Sequence, residues 1–345
     1  MPSMERPLNV RPQLASVRAH YGYPYHQWMT QEFDELGWKL VQKSLLQKRF
    51  HDVTLLIEGP DQRFALMSKH SYPPGVFRSP SGGVEPGEEL AAGALREARE
   101  ETGLKIDLRR FIHQITLDII HADDIARWDS YIFYATTKDT ELNPTDKKEV
   151  REAQWATRSQ IEGMVDRLRA TGNGGLIYRG SLTEASLWAL DNPIRIREAK
   201  VQDMPSISRS LTANLLDTSK MEETLWWVAE VNGLWAGTLG ITALSDCVEL
   251  TGLTVESAYQ TRGLGHTMVE YACDQWNNPE QRKKFGSVRK VFLNDKLWLL
   301  TPNPAYFLPV NFVLTSKEFL PESLKQRLIG PRARWSPMRY QLYKL

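Results

Sequence analysis

Apolar positions recur along the chain in two rhythms. Residues 53–58 and 64–68 are short apolar runs on either side of Gly59, Pro60 and Asp61, the pattern of two strands joined by a turn. Residues 111–120 and 130–136 read as further strands, as do 225–231 and 234–243, which flank the hairpin signal Asn232-Gly233. Residues 248–255 and 296–301 add two more. A helical rhythm runs over residues 30–50, where Phe33, Leu36, Leu40, Val41 and Leu45 repeat. Helices are also expected over 158–169, 181–190 and 203–215, and over the run from His266 to Trp276. Residues 1–19 are polar, contain proline and are expected to be loosely ordered, and residues 171–175 to be flexible. The aromatic segment 21–29 is expected to dock on a core, with a ligand-pocket lining as the other reading.

With 345 residues the chain has room for two domains, each with its own core. Asp191, Asn192 and Pro193 read as the boundary, because the pattern changes at Ile194. Charged residues make up 25% and hydrophobic ones 41%, an ordinary globular balance. A net charge of +1 gives no general attraction for nucleic acid or an anionic membrane, so neither is expected as a partner. No apolar run is long enough to span a bilayer, and the first residues lack the apolar core of a signal peptide. Cys247 and Cys273 match no metal spacing, and two thiols fit a reducing, cytoplasmic setting.

Chemistry concentrates in residues 82–104. A glycine-rich turn containing Pro86 and Gly87 leads through Glu88 into good helix formers, and Gly103 stops the helix. Glu97, Glu100 and Glu101 stand three and four apart, so their carboxylates share one helix face and repel each other. An all-oxygen cluster of this kind asks for a hard cation, Mg2+ or Mn2+. The stretch resembles the Nudix box, G-x5-E-x7-R-E-U-x-E-E-x-G-U, with Gly82, Glu88, Arg96, Glu97, Glu100, Glu101, Gly103 and Leu104 in place. Ala98 stands where that family prefers a larger aliphatic residue. The resemblance implies metal-dependent hydrolysis of a nucleoside diphosphate derivative. Glu97, Glu100 and Glu101 would bind the metal, with the Ser81 carbonyl as a further ligand. Arg96 would pair with Glu88 to fix the loop on the helix, and Glu149 and Glu152 are candidates for the general base. Glu101→Gln is expected to abolish hydrolysis with little loss of folding.

A second constellation follows the strand over 248–255. Gln260-Thr-Arg262-Gly263-Leu264-Gly265 opens a helix whose first N–H groups would suit an anion. It resembles the pyrophosphate loop of GNAT acetyltransferases. By that resemblance Val255 would offer its backbone to the pantetheine arm of acetyl-CoA, and Gln260, Arg262, Gly263, Leu264 and Gly265 would hold its diphosphate. That family often ends a motif F-Y-x-x-x-G-F on a phenylalanine corresponding to Phe312. Here the tyrosine position holds Phe307, the glycine position holds Asn311, and Tyr306 is one place early. Tyr306 is therefore either the general acid, if the local geometry shifts, or a core aromatic. Glu249 and Asp246 are candidates for the base. Residues 319–328 are similar to the acetyltransferase domain of N-acetylglutamate synthases, which would make an amino acid or related amine the acceptor.

The expected architecture is α/β in two domains: an N-terminal extension with a helix (1–44), a Nudix α/β/α sandwich with a mixed sheet (45–190) and a GNAT mixed α/β sheet domain (193–345). The expected function is bifunctional, joining nucleotide hydrolysis to N-acetyl transfer onto a small amine. The alternative is an active hydrolase regulated by a GNAT domain that senses CoA or an acyl metabolite. Both families often pair through sheets or helices, so a homodimer is one open outcome.

Overall fold

The apolar run at 53–57 is fully buried and becomes an interior strand of the first of two sheets. In the computed structural model, which describes residues 10–285 and 296–341, the chain divides into the units Met1–Pro193 and Ile194–Leu345. The first unit runs α1 (Val10–Tyr21), β1 (Tyr25–Glu32), α2 (Glu35–Leu46), β2 (His51–Glu58), β3 (Phe64–Lys69), β4 (Ser81–Gly83), α3 (Leu90–Thr102), β5 (Asp107–His121), β6 (Asp124–Thr136), β7 (Val150–Ala156), α4 (Arg158–Ala170) and α5 (Gly174–Asp191). Its sheet has the order β1-β5-β6-β2-β3-β7, with β4 paired to β2. The pairs β1/β5 and β2/β6 are parallel, and the others are antiparallel. The turn after β2 is where the sequence places it, but β2 and β3 pair only at Glu58 and Phe64 before they diverge to different neighbours.

Helices cover both faces of this sheet, giving an α/β/α sandwich. On one face α1 and α3 bring Leu14, Val17, Leu90, Ala94 and Ala98 onto Val53, Leu55, Ile57, Phe111 and Phe133. On the other, α2, α4 and α5 pack Trp38, Val41, Ile161, Leu168 and Leu182 against Leu56, Leu66, Ile115 and Ile132. Polar caps fix the ends of these helices. Asp34 accepts from the Gly37 amide, Thr157 and Gln160 form a reciprocal box, and Asn173 accepts from Leu176.

Three expectations need correction, and that of the aromatic segment docking on the core is sharpened. The segment expected to be loose contains α1, held down by buried Leu14 and Val17, while residues 1–9 lie outside the described part. The aromatic segment contributes the parallel strand β1, an integral part of the sheet. The helix expected over 30–50 is confined to α2, and its apolar repeat marks its buried face only in part, through Val41 and the partly buried Phe33 and Leu45. Trp38 and Val41 are buried, but Leu36 and Leu40 are open to solvent. Gly174 and Gly175 begin α5 instead of a flexible loop, because Asn173 caps them and Gly174 lies against the Glu32 backbone.

The second unit runs β8 (Ile194–Glu198), α6 (Met204–Ala213), β9 (Thr224–Val231), β10 (Leu234–Ala243), β11 (Val248–Val255), α7 (Leu264–Asn277), α8 (Pro279–Phe285), β12 (Leu297–Thr301), β13 (Phe312–Leu314), α9 (Glu322–Lys325) and β14 (Ser336–Tyr340). Its sheet has the order β13-β14-β12-β11-β10-β9-β8. Asn232 and Gly233 take φ of 52° and 76°, as a tight hairpin turn requires. The one parallel pair among the described strands of this sheet, β11/β12, is joined only at Val248/Leu297 and Glu249/Trp298. Beyond that point the strands part. Ile207 and Leu211 of α6 pack on Trp226 and Val228, and α7 packs on β10 and β11. No helix among the described residues is long and apolar enough to cross a membrane.

Candidate functional site

Alanine-rich spacing lets α3 lie close on the sheet, and Gly103 ends it at φ 79°, its amide bonded to the Arg99 carbonyl at 2.9 Å. This presents Glu97 and Glu101 inward, both buried, while Glu100 faces the rim. Arg96 grips the preceding loop. Its Nε and Nη2 donate to the two oxygens of Glu88, each at 2.9 Å, and Nη2 also donates to the Gly83 carbonyl at 2.8 Å. Its Nη1 donates to Glu97 at 2.7 Å and to Glu100 at 3.0 Å. The pairing of Arg96 with Glu88 expected from the sequence is therefore present as a bidentate fork.

Glu101 has partners that the sequence did not disclose. Buried Arg78 donates to its Oε1 at 3.1 Å, and the Ser81 amide donates to its Oε2 at 2.7 Å. Arg78 also donates to the Ser81 hydroxyl and carbonyl and to the Tyr72 hydroxyl. Lys69 lies 3.8 Å from Glu101 and 2.5 Å from Glu149, which ties Glu149 to the acid cluster. Glu152 instead meets Arg151 at the surface. Arg78 and Lys69 lie outside the box, and only the backbone pairing of Met67 with Arg78 aims Arg78 at α3.

The donors suit a hard divalent cation in kind. A Cβ at Gly82 would fall 2.0–2.2 Å from the Glu97 carboxyl, so the glycine is the cradle that lets β4 and this carboxylate meet. Burial pushes the Glu97 carboxyl up to about 7, the neighbouring Glu101 and Glu100 add to the rise, and Arg96 only partly opposes it. Positive charge at this point is thus incomplete. Among the described residues no three acidic, histidine or cysteine side chains converge on one point, since Arg96 and Arg78 stand between the carboxylates.

In the second unit, β11 ends at Val255, whose carbonyl accepts from the Gln260 side chain at 2.9 Å. Gly263 turns the chain at φ 94°, a left-handed conformation that suits glycine, and Leu264 and Gly265 begin α7 with no side-chain cap on its first turn. Arg262 is on the same loop. Gln260, Arg262, Gly263, Leu264 and Gly265 are therefore gathered at one helix start, beside the end of β11. Between the parting strands β11 and β12 opens a cavity of about 270 Å3 that Glu249, Leu250, Leu300, Phe307, Arg332 and Trp335 help to line. Buried Glu249 pairs with Arg327, and burial pushes its carboxyl up to about 7 despite Arg327 and Arg332. Asp246 is engaged with Ser323 instead.

Tyr306 does not line this cavity. A Cβ on Gly265 would meet its hydroxyl at 2.0 Å, and its carbonyl accepts from His266, so it packs against the start of α7. Burial pushes its hydroxyl up to about 12. Asn311 adopts φ 70°, taking the left-handed conformation that the family's glycine would supply.

The chain matches the NUDIX domain family over residues 48–175 and the acetyltransferase (GNAT) family over residues 194–290. The NAD-capped RNA hydrolase NUDT12 of Macaca fascicularis is 28% identical over 110 residues, which are 32% of this chain and 22% of that protein. The chain thus spans under a quarter of that relative's length. The oxidized purine nucleoside triphosphate hydrolase of Mus musculus is 31% identical over 109 residues, covering 31% of this chain and 67% of that protein. Among solved structures, N-acetylglutamate synthase from Neisseria gonorrhoeae, complexed with coenzyme A and N-acetyl-glutamate, aligns over 44% of this chain and 36% of its own at 18% identity and a TM-score of 0.34. That likeness is too slight to carry an argument about function.

Proposed function

The chain belongs to the Nudix family through its first unit and carries a GNAT acetyltransferase domain in its second, and from that premise we propose that it is a bifunctional enzyme. The first unit hydrolyses a nucleoside diphosphate derivative with a divalent metal, and the second transfers acetyl from acetyl-CoA to a small amine. The observation that carries the first half is the burial of Glu97 and Glu101 beside the backbone of β4, with Gly82 leaving room for the carboxylate. One named relative is an NAD-capped RNA hydrolase and the other an oxidized purine nucleoside triphosphate hydrolase, which supports the substrate class.

Glu97, Glu100 and Glu101, with the Ser81 carbonyl, would hold Mg2+ or Mn2+, which would neutralise diphosphate charge and lower the pKa of a bound water. The remaining tasks belong to the chain. Arg96 locks the loop to α3 through Glu88 and keeps the carboxylates in register. Glu149, linked to Glu101 through Lys69, is better placed than Glu152 to take a proton from water. In the second unit the start of α7 binds the CoA diphosphate, and Glu249 at the cavity wall takes the proton of the incoming ammonium.

The test is a nucleotide panel with Mg2+ or Mn2+, comparing the intact protein with variants. Glu101→Gln is a poor probe, because it would leave Arg78 buried beside a neutral partner at a cost on the order of 3 kcal/mol. Glu100 is at the rim, so Glu100→Gln should cut hydrolysis by about a hundredfold or more while unfolding like wild type. Full activity in that variant refutes the assignment. A second reading of the GNAT unit, as a sensor that binds CoA without turnover, is favoured by Phe307 lining the cavity where a hydroxyl would be needed to protonate the thiolate. Acetyl-CoA binding with no acetylated product from any amine offered would establish it.

A further inference from the structure

On the face of the first sheet away from α3, a cleft of about 470 Å3 opens between α2, α5 and the strands. Leu36 and Leu40, one turn apart on α2 and 68% and 61% exposed, line it and leave apolar surface in water. Tyr72 and Trp128 give it aromatic walls, and Asp52 and Arg179 its polar part. Arg179 donates to Oδ2 of Asp52 at 2.5 Å. The other oxygen, Oδ1, is buried and accepts no hydrogen bond among the described residues, which is costly for a carboxylate and suits a ligand that brings a donor. The cleft is also joined to the acid cluster. The Tyr72 hydroxyl accepts from Arg78 at 2.9 Å, and Arg78 donates onward to Glu101. Asp52 lies opposite Gly83 of β4 in the same sheet.

We propose that this cleft binds the base of the nucleotide: a flat heteroaromatic ring held against Trp128, Tyr72 and the α2 leucines, with a ring or exocyclic N–H donating to Asp52 Oδ1. This rests on the hydrolase reading, in which the diphosphate is at Glu97, Glu100 and Glu101. A volume of about 470 Å3 is within the range of small-molecule sites. An acyl chain would satisfy the leucines and leave the Asp52 oxygen bare, whereas a base offers both π faces and a donor edge. The residues that build this cleft come from α2, α5, β2, β5, β6 and the segment after β3, all outside the box, so they are where this chain sets its own specificity.

Binding can be measured apart from hydrolysis. The full chain, with a chelator in place of metal, is titrated calorimetrically with adenosine, guanosine, cytidine and uridine 5′-monophosphates, and with ribose 5-phosphate as the ring-less control. At least one monophosphate should bind and ribose 5-phosphate should not. Asp52→Asn should weaken binding by about tenfold. Because Asp52 also holds Arg179, the second probe is the double variant Leu36→Gln, Leu40→Gln at two solvent-facing positions, which should weaken it by about tenfold as well. Equal affinity in the leucine double variant, no binding of any monophosphate, or equal binding of ribose 5-phosphate overturns the proposal. The two readings fail separately. Hydrolysis with an unchanged KM in the double variant removes the cleft and keeps the hydrolase. Nucleotide binding that the double variant abolishes, with no cleavage of any nucleotide by wild type, removes the hydrolase and keeps the cleft.

Discussion

At Gly82 the missing side chain has a chemical consequence, because no other residue leaves space for the Glu97 carboxyl against β4. Gly82→Ala should therefore weaken metal affinity and hydrolysis by about ten- to a hundredfold, read by titrating Mg2+ against rate. A variant with wild-type metal dependence would show that the two groups do not need to touch. A different single residue sets a pH dependence in the second unit. Burial raises the Glu249 carboxyl to about 7, against the charges of Arg327 and Arg332 and with Asp217 adding to the rise. An unfolded glutamate titrates near ~4.3, so between there and about 7 the folded chain holds a proton that the unfolded chain has lost. Stability of this unit is then greatest below the window and declines as pH rises through it, by on the order of 3 kcal/mol. Urea unfolding at a series of pH values should show that decline in wild type and a flatter profile in Glu249→Gln; matching slopes in both would refute it.

The elements differ in how much of them the sequence discloses. Helix α3 was legible because its chemistry and its boundaries are local: box spacing, alanines for close packing, Gly103 to end it. Arg78 was not, since its tie to Glu101 exists only once Met67 and Arg78 pair across two segments. Helix α2 misleads for another reason. Its repeat of leucines is amphipathic, but Leu36 and Leu40 open onto a cleft and Trp38 and Val41 take the buried side. Strand β1 has no clear alternation and is made a strand by its partner β5. Helix α1 is likewise held by tertiary contact, through Leu14 and Val17. Leu14→Ala should cost about 2–4 kcal/mol of first-unit stability by calorimetry, where a loose tail would cost nothing.

On the scale of the whole chain, two sheets with separate cores follow from the change of pattern at Ile194. The GNAT order of hairpin, strand, glycine loop and helix is visible in the residues, but the splay of β11 from β12 is not, since it depends on which strand pairs end. Two cores predict two ligand responses. Saturating acetyl-CoA, at about a hundred times its Kd, should stabilise the second unit by about 2.7 kcal/mol and leave the first unmoved. Differential scanning calorimetry reads this directly; a shift of both transitions, or of neither, would contradict it.

Strand β1 has a further consequence, one for the chain as it is being made. It pairs in parallel with β5 and with no other strand among those described, and β5 comes only after α2, β2, β3, β4 and α3. A newly synthesised chain therefore carries Tyr25 and Trp28 as an unmated strand until β5 has been translated, and must close a long loop to place it. During that interval its strand edge is open to mispairing.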